Sequence, residues 1–384
     1  MSVVIKEVTS KKELKKFVKF NIELYKGNPY HVPGLIEEEM VTLDKKKNPA
    51  FEVCDAIYFL AYKDGKVVGR IAGMINRRSN ETWNQKHARF GFVDFIDDIE
   101  VVDALFGAVE KWAKEQGMDA LHGPMGFTDM DHEGMLIEGF DQIGTMATIY
   151  NYPYYPKQME RMGYTKDQDW HEFKIYIPDG VPEKHLRIGE IVKKKYGLKV
   201  MKFKNAKSIM PYAQKVFRTL NESYAPLYGF ARLTQKQIDY YINMYIPMLR
   251  YDLVTLIVRE EDDEVVGFGI SLPNLSKAMQ KAKGHLFPFG WSAPRTAHIS
   301  ATLNTAKLII LTSIKSTTSP LITLSIRLPI PPATISDMDH IYVGFFTLFE
   351  SIRYSITTIT TAVNSIRNSC FPSRMLKAAP GFLS

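Results

Sequence analysis

Cysteine is scarce: the 384 residues hold two, Cys54 and Cys370. They lie far apart and form no metal or redox spacing. So few thiols suit a reducing cytoplasm, which is the expected location. No run of about 18 apolar residues occurs, so no membrane span and no membrane partner is expected. The longest aromatic cluster, Ile341 to Phe349, is too short. The opening MSVVIKEVTSKKELKKF lacks an apolar core followed by a small-residue cleavage site. It reads as a short strand and a charged helix, not as a secretory signal. An excess of one charge is also missing from most of the chain. The formal net charge is +7, but residues 292–384 hold 8 Lys/Arg against 3 Asp/Glu, leaving 41 against 39 in residues 1–291. A body so near neutrality gives a nucleic-acid partner little electrostatic support, and none is expected.

Serine and threonine are rare up to Trp291, with 17 in residues 1–291, and common afterwards, with 26 in residues 292–384. Glycine falls the opposite way, from 22 to 2. A single domain rarely changes composition so abruptly, so residues 292–384 read as a foreign tail. The alternation in ITLSIRL suits an all-β module. A Ser/Thr-rich disordered stalk is a second reading, but the Ile, Leu and Phe content argues against it. A third is translation from a wrong frame or an inserted segment, which fits best with the loss of glycine punctuation and of charged faces.

Up to Trp291 the pattern is regular. Val3 to Val8 alternates as a strand, and Ser10 caps a helix running to Tyr25. Ile57–Tyr62 and Val67–Ile75 pair as a hairpin around Lys63-Asp64-Gly65-Lys66. Arg89–Phe95 is a third strand, and Val101–Gln116 is a helix with Val102, Leu105, Val109, Trp112 and Ala113 on its buried face. Ala120–Gly123 starts a fourth strand, Pro156–Met162 is a helical turn, and His171–Ile177 is a last strand. Pro178–Pro182 reads as a linker. A second pass comes next: strand Leu198–Phe203, helices Ala206–Ser223 and Thr234–Leu249, and a hairpin of Leu253–Arg259 with Val265–Leu272. FLAYKDGKVVGRIAG and LIVREEDDEVVGFGI share one pattern, which indicates duplication at domain scale. The order predicts mixed sheets with helices on both faces, an α/β (α+β) fold.

The segments YKGNPYHVPGL, KKKNPAFE, FLAYKDGKVVGRIAG, GPMGFTDMDHEGMLIEGFD, NYPYYPKQMERMGY and HLFPFGW resemble the acyl-CoA N-acyltransferase (GNAT) superfamily, and within it long two-domain bacterial proteins of poorly defined function. The resemblance covers nearly all of residues 1–291 and none of the tail. It implies tandem GNAT-like domains at 1–178 and 179–291, the second incomplete, followed by the unrelated tail at 292–384. It further implies acetyl-CoA or another acyl-CoA as co-substrate, its pantetheine arm in a splay between two strands. Its pyrophosphate would lie on a glycine-rich turn that opens a helix. An amine of a small molecule or peptide then attacks the thioester, with a base and an acid assisting.

This sequence departs from that pattern in two places. Where the pyrophosphate turn follows the third strand, it has Ile96-Asp97-Asp98-Ile99-Glu100, and three carboxylates repel a pyrophosphate. The corresponding turn of the second domain belongs after Trp291, where the tail has only Gly344 and Gly381. The family's acid tyrosine aligns with Met159. Tyr154 and Tyr155 lie close but out of step, and are the only catalytic candidates.

Other candidates each carry a plainer alternative. Gly123, Met125 and Phe127 line a substrate loop or a simple strand-to-loop turn. Tyr224, Tyr228 and Phe230 border the acceptor site, as the resemblance implies, or pack between helices. Tyr152, with Tyr154 and Tyr155, lines a pocket or packs beside Pro153 and Pro156. Asp129, Asp131, His132 and Glu133 are dense but lack a second histidine at a useful spacing, so no metal is expected. Cys54 has no nearby base and reads as a core residue. Two functions compete: an acyl-CoA-dependent N-acyltransferase, impaired in this chain, and a non-catalytic GNAT-fold scaffold. Transfer of an aminoacyl group is a weaker third. Nothing in the sequence sets the oligomeric state.

Overall fold

The computed structural model describes residues 2–170, 173–174, 183–272 and 274–285, and three further strands at 307–314, 326–329 and 372–378. The first half contains β1 (Val4–Glu7), α1 (Lys11–Leu24), α2 (Ile36–Thr42), β2 (Cys54–Lys63), β3 (Lys66–Asn76) and α3 (Arg77–Trp83). It continues with β4 (His87–Phe95), α4 (Ile99–Glu115), β5 (Ala120–Gly123), β6 (Met135–Leu136), α5 (Tyr154–Arg161) and β7 (Thr165–Asp169). The second half contains β8 (Phe173–Lys174), α6 (Glu183–Tyr196), β9 (Leu198–Lys202), α7 (Ala206–Tyr224), α8 (Gln235–Tyr245), β10 (Val254–Arg259), β11 (Glu264–Leu272) and α9 (Ser276–Ala282). β12 (Lys307–Ile314), β13 (Ile326–Pro329) and β14 (Pro372–Ala378) come from the Ser/Thr-rich stretch.

Two mixed sheets result, as the tandem α/β expectation requires. The first runs β1-β2-β3-β4-β5-β14-β6, with β7 also on β14; the second runs β8-β13-β12-β11-β10-β9. Pairing is antiparallel except for β4 with β5 and β13 with β8. Among the described residues, the second sheet is extended beyond β11 by strands that follow Trp291. β12 lies on β11 and β13 on β12.

The local signals act as their chemistry dictates. Ser10 and Glu13 form a capping box at α1, and Thr234 and Gln237 form one at α8. The duplicated hairpins are β2–β3 and β10–β11, each with a bulge in the strand leaving its turn, at Val68 and Val266. Their turns hold positive φ at Asp64 and Gly65, and at Asp263. The glycine of the first Val-Val-Gly has a packing reason: a Cβ at Gly69 would stand 2.6 Å from Leu105 of α4. Only a residue without Cβ lets α4 lie this close to the sheet, where Val101, Leu105 and Val109 are fully buried. The opposite face is covered by Phe17 and Val18 of α1, which pack with Tyr58, Leu60, Ala72 and Met74. In the second half, Ile209, Ala213, Val216 and Leu220 of α7 pack with Leu256, Val258 and Phe268.

The two halves are laced together. Arg78 donates to the carbonyl of Arg232 and Trp83 Nε1 to that of Phe230, both at 2.9 Å. Lys236 and Thr234 meet Glu52. α9 returns to the first half: Ser276 Oγ donates to Gly144 O at 2.8 Å, and Gln280 Nε2 to the carbonyls of Pro29 and His31, both at 2.9 Å. Ile36 N donates to Gly284 O at 2.9 Å, and a Cβ at Gly284 would stand 2.3 Å from Ile22.

Candidate active site

The strands β4 and β5 run parallel only over His87↔Ala120, Ala88↔Leu121 and Arg89↔His122, and then part. Opposite this point β3 and β4 shift register between Arg70 and Ala72, where Phe92 takes a positive φ of 43°. A β-bulge of this kind turns backbone groups out of the ladder. The opening is filled from within. The segment after β5 turns back so that Met125 N donates to Phe90 O at 2.8 Å. From the other side Tyr155 stacks on Phe95, with ring centroids 4.1 Å apart. Its hydroxyl accepts from Phe95 N at 3.1 Å and from Tyr25 at 2.9 Å, and donates to Asp94 Oδ1 at 3.3 Å. Tyr154 donates to Phe95 O at 2.6 Å. Asp94 in turn accepts from Arg70 Nε at 2.7 Å and from Asn21 at 3.1 Å, while Arg70 also meets Glu39. Burial pushes both Tyr155 and Tyr154 above the usual phenol range. Tyr155 is 1% exposed, so as it stands it offers no face to a substrate. Met159, at the aligned acid position, is fully buried.

The N-terminus of α4 comes next in the chain. Its positive end already holds a carboxylate: Asp98 caps the helix, accepting from Glu100 N at 3.0 Å. Lys63 Nζ adds an ion pair at 2.6 Å, which holds the Asp98 carboxyl below its usual range. A helix N-terminus attracts one anion, and this one has its own.

A second arrangement of polar groups lies at the seam between the halves. Arg89, 2% exposed, donates to Gly126 O at 3.2 Å, Ser79 Oγ at 2.9 Å and Gly229 O at 3.0 Å. It thereby joins the loop of Gly123, Met125 and Phe127 to the loop of Tyr224, Tyr228 and Phe230. Those two candidate groups are about a hundred residues apart in sequence, and the structure brings them together. Met125, Phe127 and Phe230 are each 1% exposed and serve as packing residues. Tyr224 lies edge-on to Phe230, and Tyr228 is half-buried with its hydroxyl on Asp167.

Between these loops the hydroxyls of Thr128 and Tyr241 are 2.9 Å apart. Asp131 folds back beneath them, with Oδ2 accepting from Phe127 N at 2.8 Å and Thr128 N at 3.1 Å. Desolvation pushes its carboxyl up to about 6, against the pull of those two N–H groups. Glu38 of α2 is raised as well, chiefly by burial, with His132 drawing it down. His132 hydrogen-bonds to Met146 O at 3.0 Å. Burial lowers His31 to about 4, and its ring stacks on Tyr25. The charge of Asp131 reaches Tyr240, Tyr241 and Tyr245 of α8 and raises each, after desolvation.

A carboxyl that titrates near neutrality beside a histidine can take and return a proton under ordinary conditions. Its only sequence signal is the acid-dense run around Asp131. Among the described residues, no group of three or more His, Cys, Asp or Glu is placed to hold a metal. Cys54 is buried and its thiol is pushed up to about 12, chiefly by desolvation. None of the described helices is long and apolar enough to cross a membrane.

No family model matches the chain. Its sequence is 29% identical over 290 residues to Protein YghO of Escherichia coli strain K12, covering 75% of this chain and 73% of that one. It is 28% identical over 284 residues to a bacterial ceramide synthase of Caulobacter vibrioides, covering 73% and 72%. Among solved structures, a tandem GNAT protein from the clavulanic acid biosynthesis pathway covers 99% of this chain, at 9% identity and a TM-score of 0.46. An acetyltransferase of the GNAT family from Streptococcus pneumoniae covers 47% of this chain and 93% of its own length, at 13% identity and a TM-score of 0.29.

Proposed function

We propose that this chain is a relative of acyl-CoA-dependent N-acyltransferases in which the first half is a wall and the second half is the catalytic unit. The observation that carries this reading is the sequence similarity to the Caulobacter ceramide synthase, since a ceramide is an amide of a long-chain amine. The acceptor is then a lipid-like primary amine, a narrower class than the small-molecule or peptide amine expected from sequence. The first half supports the wall assignment, because Asp98 holds the α4 N-terminus and Tyr155 fills the strand splay.

In the reaction, the amine nitrogen attacks the thioester carbonyl, the carbon–sulfur bond breaks, and CoA leaves as the thiolate. In this reading the proton lost by the amine passes to Asp131, the one contribution of the first half to the chemistry, and from there to the departing sulfur, which gives the free thiol. Tyr224 and Tyr228 border the acceptor. The CoA turn of the second half belongs beyond Trp291, outside the described residues. The sequence there has no glycine pair, so this chain is an impaired version of its parent. The boundaries 1–178, 179–291 and 292–384 follow from this reading. The relatives align over 290 and 284 residues, close to the length that precedes the compositional break.

The test is incubation of the full chain with palmitoyl-CoA and sphinganine, following thiol release and N-acyl product by mass spectrometry. A trace of product, restored when the frame downstream of the Trp291 codon is repaired to give a Gly-x-Gly turn, supports the reading. No product after repair, together with an unchanged melting temperature in CoA, leaves the scaffold reading in its place.

A further inference from the structure

The near-neutral body conceals one strongly basic stretch. Residues 183–218 carry eleven Lys/Arg and two Glu. They form α6, the edge strand β9 and the first two-thirds of α7, without interruption. The large apolar side chains exposed in the same stretch are Ile191 at 53%, Tyr196 at 54%, Val200 at 38% and Met210 at 47%. Only three others of this kind stand exposed among the described residues: Val4, Ile99 and Met248. Apolar exposure and positive charge are therefore concentrated in the same place.

They gather around the β9 edge of the second sheet. On α6, Lys184, Arg187, Ile191, Lys194 and Lys195 succeed one another mostly at three- and four-residue steps, and all are exposed. Gly189 and Val192 are buried on the other side. On β9, Val200 and Lys202 are exposed on the side of the edge strand away from α7, because Met201 and Phe203 pack on the α7 side. On α7, Lys207, Met210 and Pro211 are exposed, while Ile209 and Ala213 are buried. The acidic turn after β10 takes up part of the charge: Asp263 pairs with Lys199 and Lys215, and Glu264 with Arg218. Glu190 takes Lys193. Lys184, Arg187, Lys194, Lys195, Lys204 and Lys207 have no ion pair among the described residues.

We propose that this edge of the second half docks on an anionic lipid bilayer. Lysines reach phosphate headgroups while Ile191, Tyr196, Val200 and Met210 enter the interface between headgroups and chains. A nucleic acid would use the same charge, but it gives Ile191, Val200 and Met210 nothing to bury against. The expectation of no membrane partner rests on the lack of a spanning run and on charge averaged over the body. Neither bears on a peripheral face. The inference does not depend on a lipid acceptor, because the vesicles that test it contain no free amine acceptor of that class.

The test is flotation of the full chain with vesicles of phosphatidylcholine and phosphatidylglycerol, beside vesicles of phosphatidylcholine alone. Binding to the anionic vesicles only, weakened by salt, is expected. Reversing Lys194, Lys195 and Lys207 to Glu should cost about fivefold in affinity or more per site. Ile191→Ser should weaken the binding that remains at high salt. A control reverses Lys12, Lys15 and Lys16 of α1, which lie outside this face, and should bind as the parent does. Equal loss in both triple variants reduces the effect to net charge and overturns the assignment. So does retention of DNA or RNA without vesicle binding.

Discussion

Arg89 reaches across the seam to the carbonyl of Gly229, 140 residues further along the chain, at 3.0 Å. A buried guanidinium that satisfies two loops at once holds them in register. Its removal leaves the carbonyls of Gly126 and Gly229 without that donor. Arg89→Met is expected to cost about 3 kcal/mol, read as a lower thermal unfolding midpoint and faster tryptic cleavage near Gly229. Arg89→Lys should recover only part, since one ammonium cannot span three acceptors. An Arg89→Met protein as stable as the parent would show that the guanidinium does not clamp the loops.

The hydroxyls of Thr128 and Tyr241 join the same two halves. A double-mutant cycle with Thr128→Val and Tyr241→Phe should give a coupling of about 1 kcal/mol by urea unfolding. A coupling near zero would mean the pair is not formed in solution.

Asp131 and His31 should oppose one another in the pH dependence of stability. The Asp131 carboxyl stands at about 6, above its unfolded value, so the folded state holds the proton longer. Stability therefore falls as pH rises from about 4 to about 6, by roughly 3 kcal/mol. His31, at about 4, is below its unfolded value, so stability rises with pH from about 4 to about 6.5 by a similar amount. Asp131→Asn should thus become more stable with rising pH relative to the parent, and His31→Asn less. Parallel profiles for all three proteins would contradict the burial assigned to both groups.

Cys54 should resist alkylation at neutral pH until the protein unfolds, because its thiol is buried and pushed up to about 12. Peptide mapping after iodoacetamide checks this. Rapid labelling of Cys54 in the folded chain would show that its cover opens.

Replacing Asp98 by Ala removes the cap of α4 and should cost about 1 kcal/mol, whereas Asp98→Ser should cost little. Thermal melts distinguish them. If Asp98→Ala is neutral, the carboxylate is not what satisfies the helix end.

The hairpins and caps are legible in the sequence because their signals are local. Ser10, Thr234 and the Asp64-Gly65 turn each act within a few residues. The helices α2, α3, α6 and α9 are not anticipated by the sequence pattern. α2, α3 and α9 are seven residues each, too short to show an apolar period, and α6 begins directly after the expected linker. The expected last strand at His171–Ile177 falls mostly outside the described residues; its described part, Phe173–Lys174, is β8, and β7 at Thr165–Asp169 precedes it. The seam is illegible for a different reason. Glu38, Asp131 and Tyr241 belong to three distant segments that no local sequence pattern links. The carboxylates after β4 are legible as a misfit to the family pattern, and the structure gives one of them a structural task at Asp98.

The return of α9 to the first half has a further meaning. Ile36 N meets the carbonyl of Gly284, so the body is fastened to its own beginning before the compositional break arrives. The fastening works like a knot tied ahead of the cut end of a rope. The hydrogen bonds that join the halves, at Arg78, Trp83, Arg89, Ser276, Gln280 and Ile36, all come from residues before Trp291. The seam is therefore written in the regular part of the sequence, whereas both sheets also draw strands from the Ser/Thr-rich stretch.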